Sequence, residues 1–130
     1  MGLIIRNDRF YGNNPLQQLV NYSTEEQVIG TWVDVKPLYQ KTFDCGALPN
    51  KTTKSVAHNI ADLDMVTKVY GVASLANKTR SVFIPSDVVS GSSYCITMEY
   101  RGTSINITTN FDATEFTLSY VTLQYTKTTD

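Results

Sequence analysis

From Gln27 to the end of the chain, apolar and polar side chains alternate with a period of two, and no comparable stretch shows the 3.6-residue recurrence of an amphipathic helix. That pattern confines the chain to strands whose opposite faces meet different surroundings. Residues 27–33 and 38–44 read as a hairpin across the break Asp34-Val35-Lys36-Pro37. Residues 65–75 make a third run, and residues 81–84 a short fourth that Pro85 closes. In residues 94–100, Tyr94, Ile96, Met98 and Tyr100 share one face. Arg101-Gly102-Thr103 is turn chemistry, and residues 104–109 return with Ile105 and Ile107 toward the core and Asn106 and Thr108 toward water. After a turn at 112–115, the last strand, residues 116–127, sets Val121, Leu123 and Tyr125 against Thr122, Gln124 and Thr126. Roughly seven short strands without helical crossovers predict antiparallel pairing. A twisted sheet of that many strands buries its apolar faces by folding into a sandwich or barrel. The expected fold is an all-β antiparallel sandwich, jelly-roll-like rather than a closed barrel.

Residues 1–26 lack this alternation. Asn13-Asn14-Pro15 and Asn21-Tyr22-Ser23-Thr24 are irregular, and residues 16–20 allow one helical turn at most. This segment is expected to be an arm or neck leading into a head domain at 27–130. A chain of 130 residues is the size of one domain and can bury a core without metals or crosslinks.

Composition narrows the partners. With 42% hydrophobic but only 18% charged residues, surface polarity falls to Ser, Thr and Asn, whose groups make directional hydrogen bonds to neutral ligands such as sugars. The net charge is −1, and Lys and Arg are scattered, so the basic stripe of a nucleic-acid binder is missing. Apolar runs are too short to insert in a bilayer, and the opening residues do not read as a signal peptide. Cys45 and Cys95 could form one disulfide in an oxidising compartment, but a domain of this size does not need it, and the expected state is two buried free thiols acting as small hydrophobes. No metal-spaced ligand set or phosphate loop implies a cofactor.

Catalytic parts are scarce. His58 is the sole histidine and, without a nucleophile elbow near it, reads as structural. The carboxylates at Asp34, Asp44, Asp62, Asp64, Asp87, Glu99, Asp112 and Glu115 fall mostly at strand ends and turns, where acids are commonplace, rather than as a facing pair. Four N-x-S/T sequons begin at Asn21, Asn50, Asn77 and Asn106; in a chain this rich in Asn, Ser and Thr, chance supplies a couple. Trp32 shares the parity of Val28 and is expected in the core, with Tyr94, Tyr100 and Tyr125 as packing residues. Tyr11, Tyr22, Tyr39 and Tyr70 are freer to meet a ligand or a neighbouring subunit.

Several stretches in fixed order carry a resemblance. They are Tyr22-Ser23-Thr24-Glu25-Glu26-Gln27-Val28-Ile29-Gly30-Thr31-Trp32, Lys36-Pro37-Leu38-Tyr39-Gln40-Lys41-Thr42, Gly46-Ala47-Leu48-Pro49-Asn50, Val56-Ala57-His58-Asn59-Ile60 and the closing Val121-Thr122-Leu123-Gln124-Tyr125-Thr126-Lys127-Thr128. Together they resemble the C-terminal head of phage and prophage tail-fibre or baseplate receptor-binding proteins, from about Tyr22 onward. The resemblance implies a homotrimeric, non-enzymatic head at the tail tip of a virion, assembled in the bacterial cytoplasm. Its implied partner is a bacterial surface glycan or cell-wall polymer. Two departures matter. Where the family reads Asp-Gly-Lys-Pro this chain has Val35, so that turn must be rearranged or strained. The family's glycine after the Ala-His pair is Asn59, which tolerates the left-handed region and can keep the backbone.

Binding loops are expected at strand connections 73–80, 85–93 and 110–115. Tyr70, Asn77, Arg80, Asp87 and Arg101 are the candidate contact residues: arginine and acid would fix orientation, tyrosine would supply area. Two competing readings are a carbohydrate-binding module of a secreted bacterial enzyme and a glycan-cleaving fibre tip.

Overall fold

A computed structural model of the chain describes residues 22–87 and 94–130. The strands are β1 (Gln27–Thr31), β2 (Pro37–Asp44), β3 (Thr53–Ala57), β4 (Leu63–Ser74), β5 (Ser81–Ile84), β6 (Ser86–Asp87), β7 (Cys95–Arg101), β8 (Ser104–Thr109) and β9 (Leu118–Lys127). They form two antiparallel sheets, ordered β1-β2-β9-β4-β5 and β3-β8-β7-β6, which pack as a sandwich. The pairs β2·β9 and β3·β8 are nested as in a jelly roll, one in each sheet. The inner strands depart from that scheme: β4·β5 is a hairpin within the first sheet, and β6, β7 and β8 form a meander in the second. No helix among the described residues is long and apolar enough to cross a membrane.

The core lies between the sheets. Val121, Leu123 and Tyr125 of β9 are fully buried against Ile105 and Ile107 of β8 and Ile96 of β7, on the faces that the alternation assigns to them. Phe116 and Leu48 close one end of this cluster from loops. His58 is buried and satisfied: its ring meets the Gly102 carbonyl at 2.8 Å, accepts from the Ile60 amide at 3.0 Å and packs on Tyr100. Neither cysteine is in a disulfide, and burial pushes the Cys45 thiol up to about 11.

Strand β3 escapes the alternation signal because Val56 is its one large apolar residue. Lys54 shares the inward face of Val56, opposite Ile107, and its ammonium donates to the carbonyls of Cys45 and Ala47. An inward charge on an edge strand blocks sheet-to-sheet association. Strand β6 is too short to read as a run. The expected core position of Trp32 is corrected. A bulge between Val28 and Gly30 breaks the shared parity and turns Trp32 away, half-buried and outside the core cluster, while Val28, on the edge strand, is 65% exposed. Tyr94 is also corrected, being exposed and packed on Phe111 rather than in the core.

Val35 and Asn59, both singled out in the sequence, take left-handed backbone conformations. The β1–β2 connection is a tight turn in which the Val35 amide donates to Trp32 O at 2.9 Å and Lys36 O accepts from the Trp32 amide at 2.9 Å. Val35 takes the left-handed position of that turn, φ 61°, which normally falls to glycine. The strain of this turn is borne by a β-branched residue. Asn59 likewise has a left-handed backbone, φ 54°. The expected helical turn at 16–20, and most of the arm, lie outside the described residues.

Candidate functional site

The side chains of β2, β9, β4 and β5 that point away from the core form transverse rows. One row is Thr42, Thr122 and Tyr70; the next is Asp44, Tyr120, Val72 and Phe83. Register sets these rows, because paired residues of antiparallel neighbours project from the same face. Gly71 lets β4 lie close to β9 under them: a Cβ there would meet the Tyr120 carbonyl oxygen at 2.7 Å. Residues 22–24 wall one side, tied down by the Thr42 amide donating to Ser23 O at 2.8 Å. The result is a groove of about 500 Å³ lined by Tyr22, Ser23, Thr24, Thr42, Tyr70, Val72, Phe83, Tyr120 and Thr122. A smaller hollow shares Val72 and Tyr120 and continues it toward Ser74, Lys78 and Leu118.

Among the described residues no charged side chain lines the main groove. Phe83 is 76% exposed, Tyr22 62% and Tyr120 41%, which makes them open aromatic faces rather than core residues with exposed edges. Tyr22 and Tyr70 meet edge to face, with centroids 6.5 Å apart and hydroxyls at 3.4 Å. Burial, then the Tyr22 hydroxyl, pushes the Tyr70 phenol up to about 12, so it stays a neutral donor. The Thr42 and Thr122 hydroxyls bond each other at 2.9 Å across the floor. Such a surface can stack an apolar ring face and hydrogen-bond neutral hydroxyls; charge comes only to its margins, with the Lys68 ammonium 4.8 Å from the Tyr70 ring and Lys78 in the continuation.

A second cleft, also about 500 Å³, opens at the end of the sandwich where the 45–52, 75–80 and 110–117 connections meet. Lys51, Arg80, Asp112 and Glu115 bring charge to it; Tyr94, Phe111 and Phe116 bring aromatic surface. Asp112 accepts from the Thr114 hydroxyl at 2.6 Å and its amide at 3.1 Å, and these bonds hold its carboxyl below the usual range. Asp112 and Glu115 share one turn instead of facing each other from opposite walls, unlike the acid pair of a glycosidase.

The candidate contact residues do not converge. Tyr70 lines the groove, and Arg80 lines the cleft with the predicted 110–115 loop. Asn77 sits at the β4–β5 turn, where its side-chain oxygen accepts from Thr79. Asp87 pairs with Cys95 on β6, and its side chain lies outside the described residues. Arg101 is at the far end of β7 from Cys95, about 20 Å along the strand, beside Glu99. Of the sequons, Asn106 is committed to the sheet, its oxygen accepting from Ser55 and Ser104.

Phe83, Tyr120, Thr42 and Thr122 were not candidates from sequence. The signal was present for Phe83 and Tyr120, large aromatics at outward positions of their strands, but only the register shows that they share a row with Val72. Comparison with protein-family models, with curated proteins and with solved structures finds no match to this chain.

Proposed function

We propose that this protein is a non-catalytic recognition domain, the receptor-binding head of a phage tail fibre, which takes a neutral stretch of a bacterial surface glycan or cell-wall polymer along the outer-face groove. The observation that carries this reading is the uncharged lining, with open aromatic faces beside hydroxyl groups. Aromatic faces bind the apolar side of a sugar ring, and the threonine and tyrosine hydroxyls fix its orientation. The groove and its continuation run along the strands, which suits a polymer segment rather than a compact metabolite. An open site of this kind binds weakly alone, and three copies on one fibre would raise its avidity. The fibre context itself rests on the sequence resemblance.

The test is binding of the full chain to arrayed neutral and charged bacterial oligosaccharides, with Tyr120→Ala and Phe83→Ala as variants. Neutral glycans are expected to be retained, and each variant to weaken them by about tenfold, equivalent to about 1.4 kcal/mol. Retention of charged glycans alone, or binding indifferent to both variants, overturns the reading. The exposed aromatics also favour a second reading, a carbohydrate-binding module, for which several aromatics in a row are usual. Light scattering separates the two: a mass about three times 14.5 kDa supports the fibre head and a monomer the module. New reducing ends released from a bound glycan would replace both with an enzyme.

A further inference from the structure

We propose that the end cleft is a second binding site, distinct from the groove, for a small zwitterionic ligand such as an amino sugar that also carries an acid group. The cleft holds two cations, Lys51 and Arg80, and two carboxylates, Asp112 and Glu115, around one cavity. Among the described residues none of the four forms an ion pair. Separate anchors hold two of the side chains. Arg80 lies over the Phe116 ring at 5.5 Å, and Asp112 is locked by Thr114; Lys51 is placed at the rim by its backbone amide donating to Phe111 O at 3.0 Å. Charges of both signs therefore line the cavity without a direct ion pair, although the Lys51 charge adds to the lowering of the Asp112 carboxyl.

That arrangement selects by chemistry. A simple anion would pair with Lys51 and Arg80 but meet two carboxylates; a simple cation meets the reverse. The cleft's charges sum to zero, so neither is drawn in by long-range attraction. A ligand carrying both charges can pair each with its opposite, and charge-assisted hydrogen bonds are the strong ones. Tyr94 and Phe111, with centroids 5.0 Å apart, offer faces for its ammonium or ring. Because Arg80 and Asp112 are already held, one cation and one carboxylate need little ordering when a small ligand binds.

The test titrates the full chain at low salt with muramic acid, which has an ammonium and a carboxylate, then with glucosamine and with glucuronate. Amide shifts are followed by NMR. Muramic acid is expected to give saturable shifts at Lys51, Phe111 and Asp112, with a Kd at least about tenfold below either singly charged sugar. Glu115→Gln and Arg80→Gln, both exposed and checked for an unchanged Tm, should each weaken it by about fivefold, whereas Tyr120→Ala leaves it unchanged. Absence of saturable shifts at those amides, or a singly charged sugar binding as tightly, overturns the proposal. Because Tyr120→Ala reports only on the groove, the two sites fail independently.

Discussion

Replacing Val35 by Asn should stabilise the protein, and the size of the effect follows from the β1–β2 turn. Val35 is held at φ 61° and is 82% exposed. The left-handed region costs an L-residue roughly 1–2 kcal/mol, with β-branched side chains at the unfavourable end. Asparagine visits that region at little cost, and so exposed a valine gives up little burial when removed. The expected gain is about 1 kcal/mol, which for a domain of this size raises Tm by about 3–6 °C. Val35→Gly relieves the same strain but loses about 0.5–1 kcal/mol to the freedom of its unfolded chain, and should gain less. Val35→Thr, β-branched like the original, should gain nothing. Urea unfolding followed by the fluorescence of Trp32, the only tryptophan, reads all three. The midpoint should rise for Asn at constant slope. An unchanged or lowered midpoint for Val35→Asn would refute the strain argument.

Other expectations follow from packing and charge. Gly71→Ala places a methyl 2.7 Å from the Tyr120 carbonyl oxygen, so backbone must shift; a loss of about 1–3 kcal/mol is expected in denaturant titration. Burial pushes the Glu26 carboxyl up, but hydrogen bonds from Lys127 at 2.9 Å and Tyr125 at 2.6 Å and the charges of Lys127 and Lys41 outweigh it, so the group titrates lower than usual. A depressed folded pKa gives stability that is present above the unfolded value near 4.3 and lost as pH falls through the folded one. Glu26→Gln should therefore cost up to about 1 kcal/mol at pH 7, limited by solvent screening, and progressively less in acid unfolding below pH 4. Cys45 is buried, and burial raises its thiol to about 11, so a thiol reagent at pH 8 should modify Cys95 well before it. Equal rates at the two cysteines would contradict that.

Much of the fold was legible because strand alternation is a local signal. Ile105, Ile107, Val121, Leu123 and Tyr125 face inward as their parity requires, and the turns at 102–103 and 114–115 fall where the sequence has turn residues. Parity fails where a bulge resets it, as between Val28 and Gly30, and where a strand carries one apolar residue, as in β3. The candidate site was less legible. Tyr70 and Arg80 were identifiable as residue types suited to contact, but their assignment to different cavities depends on which strands are neighbours.

The amino-acid order alone determined the strand class, the inward set of β7 to β9, the structural role of His58 and the conflict at Val35, since each follows from a residue and its near neighbours along the chain. Tertiary structure decided the rest: that β9 lies between β2 and β4, that Tyr120 therefore joins Val72 and Phe83 in one row, and that Lys51 meets Arg80 and Glu115 at a single cleft. The physical reason is range. Dihedral preference and alternation act over a few residues, whereas a binding surface is made by side chains from strands far apart in sequence, placed together only by the pairing that buries the core.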